Sequence, residues 1–308
     1  MAESSDIYFS ICIPSYNREY TLKRCLDSLV SQSYKDFEVI FVDDGSTDNT
    51  DSVVQDYIGK INIKYFKKAN GGKHTALNLG IKNAGNSELF MILDSDDWLK
   101  PDALEYFYNK WEEIKVSENK KICGVMARCA DQNDRIIGTL FSSDLSTIDY
   151  IKFHFNGIDY GDCNECIKTS VIKQYYFPEP PNTRFVPEYY IFDQIGVRYL
   201  LQCTNRVTQN KEYSFDGITK NAIEYYKKNW IGFFYANVCR LEKVVPYAKD
   251  RISNKQIFKM WYDYWRYCYF DKEKQVKRLS NISFLGFIAR MKFSLKYILV
   301  KFSIKKEL

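Results

Sequence analysis

Residues 7–105 alternate four times between a short apolar run and a stretch with helical spacing, and each apolar run ends in a polar loop. IYFSICI (7–13), FEVIFVD (37–43), INIKYF (61–66) and ELFMIL (88–93) are rich in β-branched and aromatic residues and read as buried strands. Leu22, Cys25, Leu26 and Leu29 place a helix from about Glu19 to Gln32. Ser46, Thr47 and Asp48 can cap a helix covering Val53, Val54 and Tyr57, and HTALNLGIKNAG reads as a helix closed by Gly85. Pro101 opens a fourth helix carrying Leu104, Phe107, Tyr108 and Trp111, since proline fits a first helical turn. Strands that alternate with helices in this way lie parallel, so the pattern predicts an α/β chain whose mostly parallel sheet has helices on both faces. Ligands of such sheets bind beyond the carboxyl ends of the strands. The polar segments fall there: Pro14–Arg18, Asp43–Asp48, Asn70–Lys73 and Asp94–Asp97.

The sharpest chemical signal is Leu93-Asp94-Ser95-Asp96-Asp97. Three carboxylates in four residues repel one another and raise at least one pKa unless a cation lies between them. A hard divalent ion, held by one or two carboxylates and by substrate phosphates, resolves that conflict. A helix N-terminus also favours acids, and Asp97 suits that second role ahead of Pro101. Gly72-Lys73 is not the end of a phosphate-binding P-loop: His74 stands where Ser or Thr is required and Lys67 where glycine is. No G-x-G-x-x-G follows the first strand, which excludes the dinucleotide-binding fingerprint.

PSYNR (14–18), VDDGSTD (42–48), NGG (70–72), ALNLG (76–80) and LDSDDW (93–98) resemble, in order and spacing, the successive motifs of family-2 glycosyltransferases of the GT-A fold. The resemblance covers residues 7–105 and fades after about 130. It implies a nucleotide-sugar site, with a UDP-sugar as the expected donor. Pro14 and Tyr16 then lie at the base, Asp44 reads the base edge with Asp43 as its structural neighbour, and Lys73 approaches the base or the diphosphate. Asp94 touches the ribose, Ser95 lies with it in the donor site, and Asp96 holds a divalent metal (Mn2+ or Mg2+) that bridges the diphosphate. Most members invert the anomeric centre and need one carboxylate to take the acceptor's proton. Glu188 matches that position best, after Pro187 and at the start of a helix through Ile195 and Val197, although Tyr189 stands where the usual Glu-Asp pair has Asp. Asp193 is expected outside the pocket, and Asp162 and Glu165 near acceptor hydroxyls. The acceptor is expected to be a glycan or a lipid-linked glycan.

Residues 1–215 read as the catalytic domain, with a nucleotide-sugar half (1–120) and an acceptor half (121–215) that includes short strands at Ile122–Cys129 and Arg135–Leu140. Residues 216–308 read as a helical, aromatic and basic extension, with helices at Ile223–Val238 and Gln256–Tyr269. The 25 Tyr and 21 Phe are chiefly packing residues. Nine cysteines, an odd number with only Cys163 and Cys166 closely spaced, and a polar start read as reduced thiols in a cytoplasmic protein. With two His the ligand set for zinc is thin, and His74 and His154 read as packed or surface residues.

The charge is asymmetric: residues 251–308 carry 14 Lys or Arg against 4 Asp or Glu, while the whole chain has a net charge of +5. Phe284, Phe287, Ile288, Met291, Leu295, Ile298, Leu299 and Phe302 recur at spacings of three and four, with Arg290, Lys292, Lys296 and Lys301 off that stripe. The pattern over 284–306 is that of a helix lying on the inner face of a membrane, with packing on the body or a dimer contact as the alternatives. Two other classes use similar parts. A nucleotidyltransferase needs a glycine-rich N-terminal loop that PSYNR does not supply, and a non-catalytic sugar-nucleotide or glycan-binding module would be expected to lose one of the metal acids. Nucleic acid is not an expected partner, because it leaves the acidic loops without a role.

Overall fold

A computed structural model of the chain describes residues 7–117, 119–143, 146–212 and 222–304, the side chains of 222–224 and 296–304 excepted. The boundary expected at 215/216 falls outside these described residues, as do the side chains of Lys296, Ile298, Leu299, Lys301 and Phe302 and all of 305 and 306. The first half follows the alternation: β1 (Phe9–Ser15), α1 (Glu19–Val30), β2 (Phe37–Asp43), α2 (Thr50–Gln55), β3 (Ile63–Lys67), α3 (Lys73–Asn83) and β4 (Leu89–Ile92). Then come β5 (Trp98–Leu99), α4 (Ala103–Val116), β6 (Ile122–Ala130), β7 (Thr147–Ile148), α5 (Tyr150–Phe155), β8 (Cys163–Lys168), α6 (Thr169–Ile172), α7 (Tyr189–Gly196) and β9 (Leu200–Asn210). The C-terminal part is helical: α8 (Ala222–Lys228), α9 (Trp230–Cys239), a wider π-type turn (Arg240–Val244), α10 (Asn254–Phe270) and α11 (Phe284–Ile304).

The strands form one mixed sheet in the order β3-β2-β1-β4-β8-β6-β9-β5, with β7 also on β9. β1 is parallel to both β2 and β4, so the chain leaves β1 toward β2 and returns on its other side at β4. That reversal splays the loops at the carboxyl ends of β1 and β4 and opens a crevice there. Alternate residues of β1 serve opposite faces. Phe9, Ile11 and Ile13 pack with Leu22, Leu26, Phe107 and Trp111 from α1 and α4. Cys12 packs with Leu77 and Ile81 of α3 on the other face, in a cluster that also takes Ile191 and Ile195 of α7. With both faces covered, β1 and β2 are buried at every position, as the unbroken apolar runs require.

Several local expectations need correction. Arg135–Leu140 is not a strand, since only Ile136 bridges Ala130. The Asp131 carboxylate accepts the N–H groups of Asn133 and Arg135 and closes a turn there instead. The helix expected over 223–238 is two helices, separated at the buried Asn229, whose side chain accepts the N–H of Arg184 at 2.9 Å. Helix α4 begins at Ala103 rather than at Pro101, and the Gln32 side chain accepts the Leu104 N–H at its first turn. Asp97 therefore does not cap α4.

Helices α9, α10 and α11 bury a third cluster built on Phe234, Trp261, Tyr264 and Trp265, which reaches α5 through Ile151. The π-type turn meets α7 at a buried ion pair. Asp193 is 1% exposed and accepts from Arg240 Nε at 2.5 Å while His154 Nδ1 lies 2.5 Å away. The Arg240 guanidinium also lies over the Tyr189 ring at 3.6 Å. Arg240 and His154 hold the Asp193 carboxyl below its usual range although burial alone raises it. Arg240→Met leaves that carboxylate buried with one partner fewer, and is expected to cost about 3–5 kcal/mol in urea unfolding. A loss under about 1 kcal/mol would mean that water reaches Asp193.

Candidate active site

The loops after β1 and β2 are tied to each other before they reach the crevice. Asn17, at φ 51, donates its N–H to Ser46 Oγ, and its side chain accepts the N–H of Thr47. Asp48 accepts the N–H of Glu19 at the start of α1 and that of Thr50 at the start of α2. Pro14 is buried at the end of β1 and Tyr16 is 45% exposed on the loop beyond it. Asp43 is fully buried, accepting from the Ser46 N–H and from Tyr65 Oη, with Lys67 Nζ at 3.4 Å. These contacts outweigh burial and keep its carboxyl below the usual range.

Asp44 organises the loop after β3. Its Oδ1 accepts from Lys68 Nζ at 2.7 Å and from the Gly71 N–H at 2.9 Å, and its Oδ2 accepts from the Gly72 N–H at 2.6 Å. Gly72 is required here twice over. Its φ is +95, and a Cβ would stand 1.9 Å from the Arg184 carbonyl oxygen. Gly72→Ala is expected to lower stability by about 3 kcal/mol, measured by denaturant unfolding. An unchanged midpoint would show that segment 182–185 shifts freely off this loop. A cavity of about 330 Å³ shares Gly71 with the Asp44 cradle and is lined further by His74, Thr75, Glu179 and Arg184. His74 is 1% exposed and its Nδ1 has no partner among the described residues; burial pushes its pKa down to about 4.

The acidic turn after β4 is pinned from α1. Thr21 Oγ1 donates to the Ser95 carbonyl, Arg24 to the Asp96 carbonyl, and Cys25 Sγ lies 3.7 Å from the Asp94 carbonyl. Arg24 itself stacks on Trp98 at 3.8 Å and pairs with Glu212. Ser95 is buried in this turn, 4% exposed. The carboxylates of Asp94, Asp96 and Asp97 each bring one oxygen to within 4.8 Å of the others.

Their surroundings differ. Asp94 lies 2.5 Å from Lys73 Nζ and 3.9 Å from Lys211 Nζ, and these cations hold it below the usual range against burial. Asp97, 1% exposed, accepts from Gln209 Nε2 at 2.8 Å and from the Glu212 N–H, with Lys211 Nζ at 3.3 Å. Burial and the charges of Asp94 and Asp96 nevertheless push its carboxyl up to about 7. Asp96 has the weakest pairing, a 3.7 Å contact with Arg18 Nε, and burial and Asp94 raise its pKa. Hard oxygens gathered this closely, with Asp96 the least neutralised, fit a divalent cation. Of the three, Asp96 is the carboxylate most open to it, since Asp97 is engaged by β9 and Asp94 by Lys73.

Lys73, first residue of α3, bridges the two ends of the crevice. Its Nζ lies 2.5 Å from Asp94 Oδ1 and 2.6 Å from Glu188 Oε1. Burial alone would lower its pKa, but the two carboxylates carry it well above the usual lysine range. Glu188 stands at the N-cap position of α7, 34% exposed at its side chain, where the helix dipole favours an anion. Glu165, on β8, is pushed up to about 8 by burial and by the charge of Glu188, with Lys211 opposing. An acid whose pKa is raised by folding stabilises the fold least once it has ionised. Wild type should therefore lose stability relative to Glu165→Gln as pH rises from about 5 through 8, and no further above it. Parallel unfolding curves of the two proteins across that window would refute the assignment. Asp162, just before β8, lies 3.6 Å from Lys211 Nζ. Asp193 and His154 are outside this crevice, in the buried pair described above.

Lys211, Lys68 and Arg18 have no role assigned from the sequence alone. Lys211 follows β9 and is carried to the acidic turn by the pairing of β9 with β5. Lys68 and Arg18 lie within or beside motifs already singled out, so their positions, though not their partners, were visible.

Residues 10–162 match the model of glycosyl transferase family 2. Those residues carry the glycosyl transferase family 2 region of the chain, and the sheet is of the GT-A type. A relative in Streptococcus pneumoniae serotype 4, glycosyltransferase GlyA, is 37% identical over 113 residues, which is 36% of this chain and 16% of that protein. This chain thus spans a small part of the length of that relative. Among solved structures, S. aureus TarS 1–349 in complex with UDP superposes with a TM-score of 0.55 at 20% identity, over 87% of this chain and 73% of that one. The mannosyltransferase PcManGT from Pyrobaculum calidifontis, in complex with GDP-Man and Mn2+, gives 0.55 at 16% identity, over 96% and 81%. At these identities the likeness shows the fold.

Proposed function

We propose that the chain transfers a sugar from a nucleoside-diphosphate donor, with UDP the favoured nucleotide, to a hydroxyl of a glycan or lipid-linked glycan, inverting the anomeric centre. The observation that carries this reading is the single ammonium of Lys73 held between Asp94 and Glu188, at the mouth of the crevice beside the Asp96 carboxylate. It joins a donor-side acid to an acceptor-side acid across a gap of one side chain. In this reading Pro14 and Tyr16 flank the base, Asp44 presents its edge contact, and Asp94 and Ser95 lie at the ribose. Asp96 would hold the divalent ion, which when bound neutralises the charge that develops on the departing diphosphate.

Donor entry places the ribose hydroxyls at Asp94 and frees Lys73 to meet the diphosphate, where its charge adds to the stabilisation of the leaving group. Glu188 is then released to accept the proton of the acceptor hydroxyl as that oxygen bonds to the anomeric carbon and the bond to the diphosphate breaks. Glu165 is less suited to this role, because burial and the charge of Glu188 disfavour its ionised form. The residues facing the acceptor, Asp162 and Glu165 on β8 and its approach, come from the second half of the sheet. Residues 1–215 act as the catalytic unit in this reading and 216–308 as its extension. A screen of nucleotide-sugars with Mn2+, read by thermal shift and by release of nucleoside diphosphate, tests the reaction class. One donor that both stabilises the protein and is turned over supports it, and no response to any nucleotide-sugar rejects it.

A further inference from the structure

Helix α11 is apolar on two opposite sides, and the described residues cover one of them. Leu285, Gly286, Ala289 and Phe293 face α10. Gly286 lets the two helices approach until a Cβ there would stand 2.7 Å from the Trp261 ring, and its carbonyl accepts from Trp265 Nε1 at 2.8 Å. Phe293 meets the rings of Tyr262 and Tyr269 at 5.5 and 5.8 Å. The expected choice between packing on the body and facing outward is therefore not exclusive.

The other side carries Phe284, Phe287, Ile288, Met291 and Leu295, exposed by 77, 56, 37, 52 and 59%. Their spacings of three, one, three and four set them within an arc of about 100°. Arg290 and Lys292 stand on its two shoulders, over the rings of Trp265 and Phe258. A contiguous apolar stripe left exposed beside a packed one marks an interaction surface.

Charge identifies what covers it. From 274 to 306 the sequence has nine Lys or Arg and no Asp or Glu. Lys272, Lys274, Lys277 and Arg278, on the segment that leads into α11, are exposed. Pairing this face with its own copy would bring two such positive surfaces together, which is unfavourable. An apolar stripe between cations is satisfied at once by acyl chains under a layer of anionic headgroups. Among the described residues no helix is long and apolar enough to cross a membrane, so this one lies along the surface. We infer that α11 docks the protein on an anionic lipid bilayer through Phe284, Phe287, Ile288, Met291 and Leu295, with α10 holding its opposite side. The inference goes beyond the donor chemistry and stands or falls without it.

Flotation of the full chain with vesicles tests it, using phosphatidylcholine alone and phosphatidylcholine with 30–40% phosphatidylglycerol (roughly the anionic fraction at which surface charge attracts basic segments). The full chain should float with the anionic vesicles at least about tenfold more than with the neutral ones, and less so as salt is raised. Phe287→Asp combined with Met291→Asp should abolish flotation while the melting temperature stays unchanged, because both side chains already face solvent. Failure to float, or equal flotation of the double variant, overturns the inference. So does a dimer in light scattering that the double variant dissolves, since the face would then cover a second copy. Turnover of a soluble acceptor should be the same in both proteins, which separates this outcome from any failure of the glycosyltransferase reading.

Discussion

Asp96→Ala is expected to reduce sugar transfer and donor hydrolysis together, by roughly a thousandfold or more, while leaving the protein folded. Both halves of that expectation come from the same geometry. Asp96 has the least neutralised carboxylate of the acidic turn, with Arg18 at 3.7 Å as its partner, so it is the oxygen most available to a cation. Burial and the neighbouring Asp94 raise its pKa, so its ionised form is less at ease in the folded chain than in the unfolded one. Removing it therefore removes a destabilising charge at neutral pH, and the melting temperature should hold or rise. A fall in activity accompanied by a fall in melting temperature would assign Asp96 a structural role. Transfer by wild type that continues unchanged in excess chelator would count against the metal.

Glu188→Gln carries the second large effect. The amide is nearly isosteric and still accepts from Lys73, so the crevice should keep its shape. It cannot take a proton from a hydroxyl, and transfer should fall roughly a hundredfold or more. Donor affinity, read by titration of the nucleotide, should change less than about threefold, since Lys73 retains Asp94 at 2.5 Å. If affinity falls with turnover, Glu188 serves to hold Lys73 for the donor and another carboxylate takes the proton. Asp162, 3.6 Å from Lys211 Nζ, is then the alternative to test.

The N-terminal architecture was legible because it is written in a local code. Apolar runs of four to seven residues separated by helical spacing leave few alternatives to parallel pairing, and β1 to β4 lie where IYFSICI, FEVIFVD, INIKYF and ELFMIL place them. The same register brings Asp44, Lys73 and Asp94 to one end of the sheet. What sequence could not supply is contact between distant segments. Lys211 reaches the acidic turn only because β9 pairs with β5, 112 residues away along the chain at Trp98–Asn210, and no motif marks it. Lys73 was expected at the base or the diphosphate, and its bridge to Glu188 depends on how segment 177–188 crosses α3. The second half is less regular for a related reason. At Arg135–Leu140 the alternation resembles a strand, but side-chain acceptors such as Asp131 capture the backbone N–H groups first. In α11 the apolar stripe was visible, but the second apolar side, at Leu285, Gly286, Ala289 and Phe293, gains meaning only from its contact with α10.

Titration of UDP into the wild-type protein and into Asp96→Ala, each with Mn2+ and with chelator, examines the acidic turn most directly. Tight binding is expected in one of the four combinations, wild type with Mn2+, and at least about tenfold weaker binding in the other three. Equal affinity in all four would contradict it, because the nucleotide would then be held without either the cation or the carboxylate.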